Sequence, residues 1–183
     1  MFVFHQSSQI MILFLYMDDI VLIGNTPSLL SSFIITLGNE VEIKDLGPLN
    51  YFLGLEVHSL RLGIHLSQTK YMLDLLQHSG MTECKPCNMP LSAKSQLYAT
   101  DGDPLSDAFE YRQLVDSLQY LTLTRLDISY AVHHVAQFMS SPRMTHLVAV
   151  KCILRYLKGM PDLGLQYRPS SGPLAIYAFS DAD

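Results

Sequence analysis

One short stretch, IMILFLYMDDIVLIG at residues 10–24, restricts the possible folds of this chain more than any other. Eight apolar residues run from Ile10 to Met17, two adjacent acids follow at Asp18 and Asp19, and a second apolar run leads from Ile20 to Gly24. The first run is far shorter than the roughly 20 apolar residues that span a bilayer, so no membrane role is expected. Short runs rich in Ile, Leu and Val, punctuated by turn formers, predict strands rather than helices. The simplest arrangement is a β-hairpin with both acids at its tip and both strands largely buried. No arginine or lysine precedes Lys44, so no basic neighbour in sequence neutralises the pair.

Downstream, Thr26 and Pro27 read as the N-cap and first residue of a helix running to about Gly38. VEIKDLG (41–47) reads as a short strand and turn. YFLGLEVHS (51–59) and GIHLS (63–67) alternate as a second hairpin closing through Arg61, Leu62 and Gly63. At Ser67 the apolar period changes from 2 to 3.6. Tyr71, Met72, Leu75 and Leu76 share one helical face, and Gly80 stands where a left-handed C-terminal cap belongs. Residues 81–106 contain three prolines and little periodicity, which predicts a long connection.

Three amphipathic helices should follow. Their apolar faces are Tyr111, Leu114, Val115, Leu118 and Leu121; then Ile128, Ala131, Val132, Val135 and Met139, stopped by Pro142; then Val150, Leu154 and Leu157, ended by Gly159 and Pro161. GLQY (164–167) and LAIYAFSD (174–181) read as strands. The expected class is α+β: a β-rich piece over 1–66, a helical piece over 67–160, and the opening strands of a further unit from 161 to 183. A chain ordered this way reads as cut at both ends.

The formal charge of −5 disfavours tight autonomous binding to nucleic acid. The charge is uneven, however. Residues 1–127 hold 7 Lys and Arg against 14 Asp and Glu, whereas residues 128–168 hold 5 against 1, so a phosphate-facing surface is expected late in the chain. Three cysteines are too few for a disulfide framework and fit a reducing compartment. The N-terminus has neither the basic flank nor the cleavage site of a secretory signal, and the chain reads as soluble and intracellular.

Two clustered carboxylates on a tight turn form a hard, oxygen-rich site suited to Mg²⁺, and nucleotidyl transfer uses such ions at its attacking and leaving oxygens. The same pair also fits a solvated turn, because turns favour Asp. The surrounding residues carry more. Tyr16-Met17-Asp18-Asp19 between apolar strands is a Y-x-D-D signature. With KDLGPLNYFLGLEV (44–57), LSQTKYMLDLLQHSGM (66–81), CKPCNMPL (84–91), YRQLVDSLQYLTLTRLDISYAV (111–132), AVKCILRYLKG (149–159) and AFSDAD (178–183), the chain resembles the reverse transcriptases of Ty1/copia-type retrotransposons along almost its whole length.

That resemblance implies a partial polymerase palm over 1–66, a helical thumb over 67–160 and the first strand of an RNase H-like domain from 161. It implies Mg²⁺ at Asp18 and Asp19, with Asp18 the stronger ligand, and Asp181 as a vestigial RNase H ligand. Phe52, Leu53 and Gly54 would position a primer 3′ end, like a primer grip. The partners implied are an RNA template with its DNA primer and the rest of a Pol polyprotein, in a cytoplasmic particle; mitochondrial relics of this kind occur in plants. The fingers and an upstream catalytic carboxylate of such polymerases have no counterpart here, so this chain alone is expected to be inactive. Asp45 and Asp74 read as solvated rather than as substitutes.

Several positions depart from the family pattern: Asp116 for a small Gly, Leu126 for Pro, His133 for Asn and Leu147 for Trp. Asp116, beside expected core residues, would be costly if buried unpaired. A competing expectation is therefore a decayed, non-enzymatic remnant, at most a weak nucleic-acid binder. Lys151, Arg155 and Lys158 lie at i, i+4 and i+7; they fit phosphate contacts and equally fit a solvated helix border. Cys84 and Cys87 have CxxC spacing without a second pair for zinc. His133 and His134 are adjacent, about 100° apart on a helix, and cannot easily share one ion.

Overall fold

Two-residue turns fold the N-terminal apolar runs back on themselves twice, giving strands β1 (Phe2–Gln6), β2 (Gln9–Tyr16) and β3 (Asp19–Gly24) in the antiparallel order β1-β2-β3. This computed structural model describes residues 1–91, 96–169 and 172. It divides into two compact units, one covering Met1–Leu49 and the other beginning at Asn50. The β2–β3 hairpin is the one expected, with Tyr16 opposite Asp19 and Met11 opposite Gly24. β1 was not anticipated, because FVFHQ is short and is followed by a polar Ser-Ser pair.

Helix α1 (Pro27–Glu40) starts where Thr26 and Pro27 predict. Thr26 takes the extended N-cap backbone, but its hydroxyl donates to Asn25 Oδ1 (3.1 Å) instead of capping the helix. Asn25 in turn accepts the Ile10 N–H and donates to the Ser8 carbonyl, which fixes the chain as it leaves β3. Leu30 of α1 packs where Gly24 lacks a side chain; a Cβ there would lie 2.8 Å from Leu30 Cδ2.

The expectation that both hairpin strands are largely buried is corrected. Met11 is the one buried hydrophobic residue among the described residues of this unit, and Phe14, Leu15, Tyr16, Ile20 and Ile23 are exposed. Alternation puts Phe14, Tyr16 and Ile23 on the face opposite Met11, while Leu15 and Ile20 share the Met11 face but lie toward the hairpin tip, away from the Gly24 end where Leu30 of α1 packs. The strand expected at 41–47 also does not form. Asp45 accepts the Gly47 N–H (2.8 Å) in an Asx turn, Gly47 sits at φ 76°, and Pro48 removes the next donor.

The second unit contains β4 (Tyr51–Phe52), β5 (Leu55–Leu60), β6 (Gly63–Ser67), α2 (Thr69–His78), α3 (Phe109–Leu121), a 3₁₀ turn (Leu126–Ile128), α4 (Ser129–Ala136), α5 (Met144–Gly159) and β7 (Leu165–Tyr167). Gly80, at φ 65°, ends α2 as expected, with Met81 N–H donating back to the Leu76 carbonyl (2.8 Å). The four expected apolar stripes converge in one core, buried throughout except for half-buried Tyr71 and Met139. α4 stops at Ala136, short of Met139. β7 pairs antiparallel with β6, Leu165 opposite Leu66, in a sheet of order β4-β5-β6-β7. Residues 164–167, expected to open a further unit, thus complete the sheet of this one. The strand expected at 174–181 lies outside the described residues.

A buried cation joins these elements. Arg125 is 3% exposed and pairs bidentately with Asp127, Nε to Oδ1 at 3.0 Å and Nη2 to Oδ2 at 2.8 Å. Its Nη1 donates to the Met160 carbonyl just past α5 (2.8 Å), and the guanidinium lies over the Tyr156 ring. Beside it, buried Thr124 donates to Gln68 Oε1 (2.8 Å), and Thr69 donates to the Pro161 carbonyl. Burial alone would raise the Asp127 carboxyl, but hydrogen bonds from Arg125 and Tyr156 and the guanidinium charge hold it below its ordinary range.

These observations give two predictions. Asp127→Ala leaves the guanidinium buried without a counter-charge, so unfolding in urea, followed by helical circular dichroism, should lose about 3 kcal/mol. Because the folded carboxyl titrates low, its contribution is present above the ordinary value of about 3.9 and disappears as pH falls through the folded value. That acid limb should flatten in Asp127→Ala. A loss below roughly 0.5 kcal/mol would mean the pair holds nothing.

The second concerns backbone strain. Ser7, Met17 and Leu53 all adopt positive φ, at 55°, 50° and 48°, each as the first residue of a two-residue hairpin turn. Met17→Ile puts a β-branched residue into a region it strongly disfavours and should destabilise the β2–β3 hairpin by roughly 1–2 kcal/mol. Amide exchange across β2 and β3 should quicken accordingly, while Met17→Gly stays at least as protected as the parent. Equal protection in Met17→Ile would show that the turn is unstrained.

Candidate active site and nucleic-acid contacts

The two acids occupy different local structures. Asp18 is the second residue of the Met17–Asp18 turn, and Asp19 is the first residue of β3, paired with Tyr16. Both are exposed, as is Met17, at 89%. Register places Asp19 on the same face as Tyr16, Phe14, Val21 and Ile23, an apolar surface open to solvent. Among the described residues, no ion pair or side-chain hydrogen bond engages either carboxylate. Two unpaired carboxylates on a turn too small to hold other side chains have the donor chemistry of a partial site for a hard cation. No group of three or more His, Cys, Asp or Glu able to hold a metal ion occurs among the described residues.

Phe52, Leu53 and Gly54 form the end of the β4–β5 hairpin. Phe52 is half-buried opposite Leu55, and Leu53 and Gly54 make the turn at φ 48° and 77°. The Leu53 carbonyl accepts a hydrogen bond from Tyr120 Oη of α3. Glu56, next along β5, caps α2: Oε1 accepts the Lys70 N–H (2.7 Å) and Oε2 the Ser67 hydroxyl (3.2 Å), with His58 at 3.5 Å. Sequence reading missed Glu56, Tyr120 and Arg125. Only Arg125 left a trace, as a basic residue two positions before an acid in a turn.

The three basic residues of α5 do not form a free stripe. Lys151 is exposed, but Arg155 Nε donates to the Lys85 carbonyl (2.7 Å) and Lys158 Nζ to the Cys84 carbonyl (2.8 Å). Cys87 adds a backbone bond to the Arg155 carbonyl and an Sγ contact to the Cys152 carbonyl. The CKPC segment is thereby strapped onto the C-terminal half of α5, and all three cysteines are free thiols. Asp116 is exposed, so the cost of burying it does not arise. Asp45 and Asp74 are exposed as well. His133 faces solvent, while His134 packs between Tyr130 and Phe138, so the two do not converge. Leu126 is exposed and Leu147 half-buried. Asp181 lies outside the described residues. Among the described residues no helix is long and apolar enough to cross a membrane.

The family described as reverse transcriptase (RNA-dependent DNA polymerase) matches residues 1–93. The whole chain is 43% identical to the retrovirus-related Pol polyprotein from transposon RE1 of Arabidopsis thaliana and 33% identical, over 97% of its length, to that from transposon TNT 1-94 of Nicotiana tabacum. It spans only 12% and 14% of those relatives. An uncharacterized mitochondrial protein of Arabidopsis thaliana is 43% identical over 94% of this chain and 71% of its own length. No solved structure matches. The chain belongs to the reverse transcriptase (RNA-dependent DNA polymerase) family, in the form carried by the Pol polyproteins of copia-type transposons.

Proposed function

We propose that this segment serves RNA-templated DNA synthesis within a longer Pol polyprotein, with Asp18 and Asp19 as ligands of catalytic Mg²⁺. The observation that carries this reading is the unpaired, exposed Asp pair on a strained hairpin tip inside the matched 93 residues. When bound, Mg²⁺ would supply charge stabilisation to a phosphoryl group under attack. Asp18, at the tip itself, is the principal ligand, and Asp19 reaches the site from the first position of β3. A further carboxylate from outside the chain completes the ligand set, as the family resemblance implies.

In this reading β1–β3 and α1 contribute to the palm, the β4–β5 turn to a primer grip, and α2–α5 to the thumb of the polymerase. With β7 committed to β6, an RNase H-like domain would begin after Tyr167, and Asp181 would be its first acid. The duplex of RNA template and DNA primer would meet the Phe52–Gly54 turn and Lys151. Arg155 and Lys158 contribute less, because carbonyls of the 84–87 segment already hold them.

A second reading rests on a separate observation. The uncharacterized mitochondrial relative is a short protein, most of which this chain covers, so a segment of this size also occurs without a polyprotein. In that case the chain is a remnant whose acids have no reaction to serve.

Primer extension separates the two. The 183-residue chain should incorporate nothing with Mg²⁺. The same segment joined to the upstream part of a copia-type reverse transcriptase should extend a primer on RNA, and Asp18→Asn should lower that by at least about 100-fold. Extension that survives Asp18→Asn would remove the metal role; no extension by the joined protein favours the remnant.

A further inference from the structure

We infer that Tyr120 is a positioning residue that fixes the β4–β5 turn on the helical core, and through it the 3′ end of a bound primer. The inference rests on the primer-grip reading of Phe52–Gly54. Both turn residues have positive φ, Leu53 at 48° and Gly54 at 77°, the pattern of a type I′ turn. Leucine is poorly suited to that position, and a contact from outside the turn helps to hold it.

Tyr120 does so from 67 residues away in sequence, donating its hydroxyl to the Leu53 carbonyl. It also shapes the neighbouring position. A Cβ on residue 54 would lie 2.8 Å from Tyr120 Oη and 3.3 Å from Cε1, so a larger residue there would push the hydroxyl aside as well as strain the positive φ. The ring is itself held, edge-on to Tyr71 of α2 with centroids 5.0 Å apart at 70°. α2 is tied back to the same hairpin by Glu56, whose carboxylate receives the Lys70 N–H. Turn, α2 and α3 are therefore tied to one another, so a displacement of the helices would carry the turn with them. A recessed primer terminus resting on this turn would be placed by the helices beneath it. Tyr120 need not touch the nucleic acid, since its hydroxyl is already committed to Leu53.

The test uses the full chain and two probes: an RNA–DNA hybrid with a recessed primer bearing 2-aminopurine at its 3′ end, and a blunt hybrid of equal length. The measured quantity is the ratio of the two affinities, together with amide exchange at Leu53–Leu55. Tyr120→Phe keeps the ring and removes the hydroxyl's bond to the Leu53 carbonyl, so the melting temperature should hold while exchange at the turn quickens. The preference for the recessed end should fall roughly fivefold, with blunt binding unchanged. Gly54→Ala crowds the same hydroxyl from the other side and should reproduce that fall. A preference that survives both substitutions overturns the positioning role and leaves the primer-grip reading standing. No preference in the unsubstituted chain overturns that reading, and the inference with it.

Discussion

A buried guanidinium organises the second unit. Arg125 stands just after α3, where desolvating a cation is expensive unless it is paired and hydrogen-bonded. Asp127 accepts two hydrogen bonds from it and the Met160 carbonyl a third, and the Tyr156 ring lies across its face. The interaction adds little net stability over an apolar replacement of similar shape. Its importance is geometric: it ties the segment after α3 to the exit from α5. Thr69, bonded to the Pro161 carbonyl, holds that exit beside the end of β6, and β7 then has a defined strand to join. The sheet that carries the Phe52–Gly54 turn is thus completed by a residue far from it in sequence.

The first unit follows a different logic. α1 packs against one face of its sheet beside Gly24, and the other presents a row of Val, Ile, Phe and Tyr. Within it the hairpin tip is the least buried point and the most strained, with Met17 at φ 50° between exposed carboxylates and exposed strand residues. Strain held at a tip is compatible with a site that must present charge at a defined place. Exposure also explains how two adjacent carboxylates persist without a basic partner, because water solvates them at little cost.

Legibility from sequence divides along physical lines. The β2–β3 hairpin, the start of α1, the Gly80 cap and the four core stripes were all readable, because periodicity and capping are local signals. The strand expected at 41–47 failed because Asp45 and Gly47 make an Asx turn, in which a side chain competes with the ladder. Burial of the hairpin strands was overestimated, since alternation shows which residues share a face but not whether anything covers it. The Glu56 cap, the Arg125 node, the Tyr120 contact and the pairing of β7 with β6 are long-range. Nothing in a single sequence marks such partners. The same applies to Arg155 and Lys158, whose spacing resembles a phosphate-facing stripe although their nearest acceptors are loop carbonyls.

Whether Asp18 and Asp19 hold a divalent cation can be asked of the chain directly, without requiring catalysis. Mn²⁺ titrated into isotopically labelled protein broadens amide resonances near its binding site. Selective broadening from Tyr16 through Ile20 at low Mn²⁺, reversed by excess Mg²⁺ and absent in Asp18→Asn, is the expected result. Broadening that spreads over all exposed acids alike, or that centres elsewhere and ignores Asp18→Asn, would show that the hairpin tip is an ordinary solvated turn.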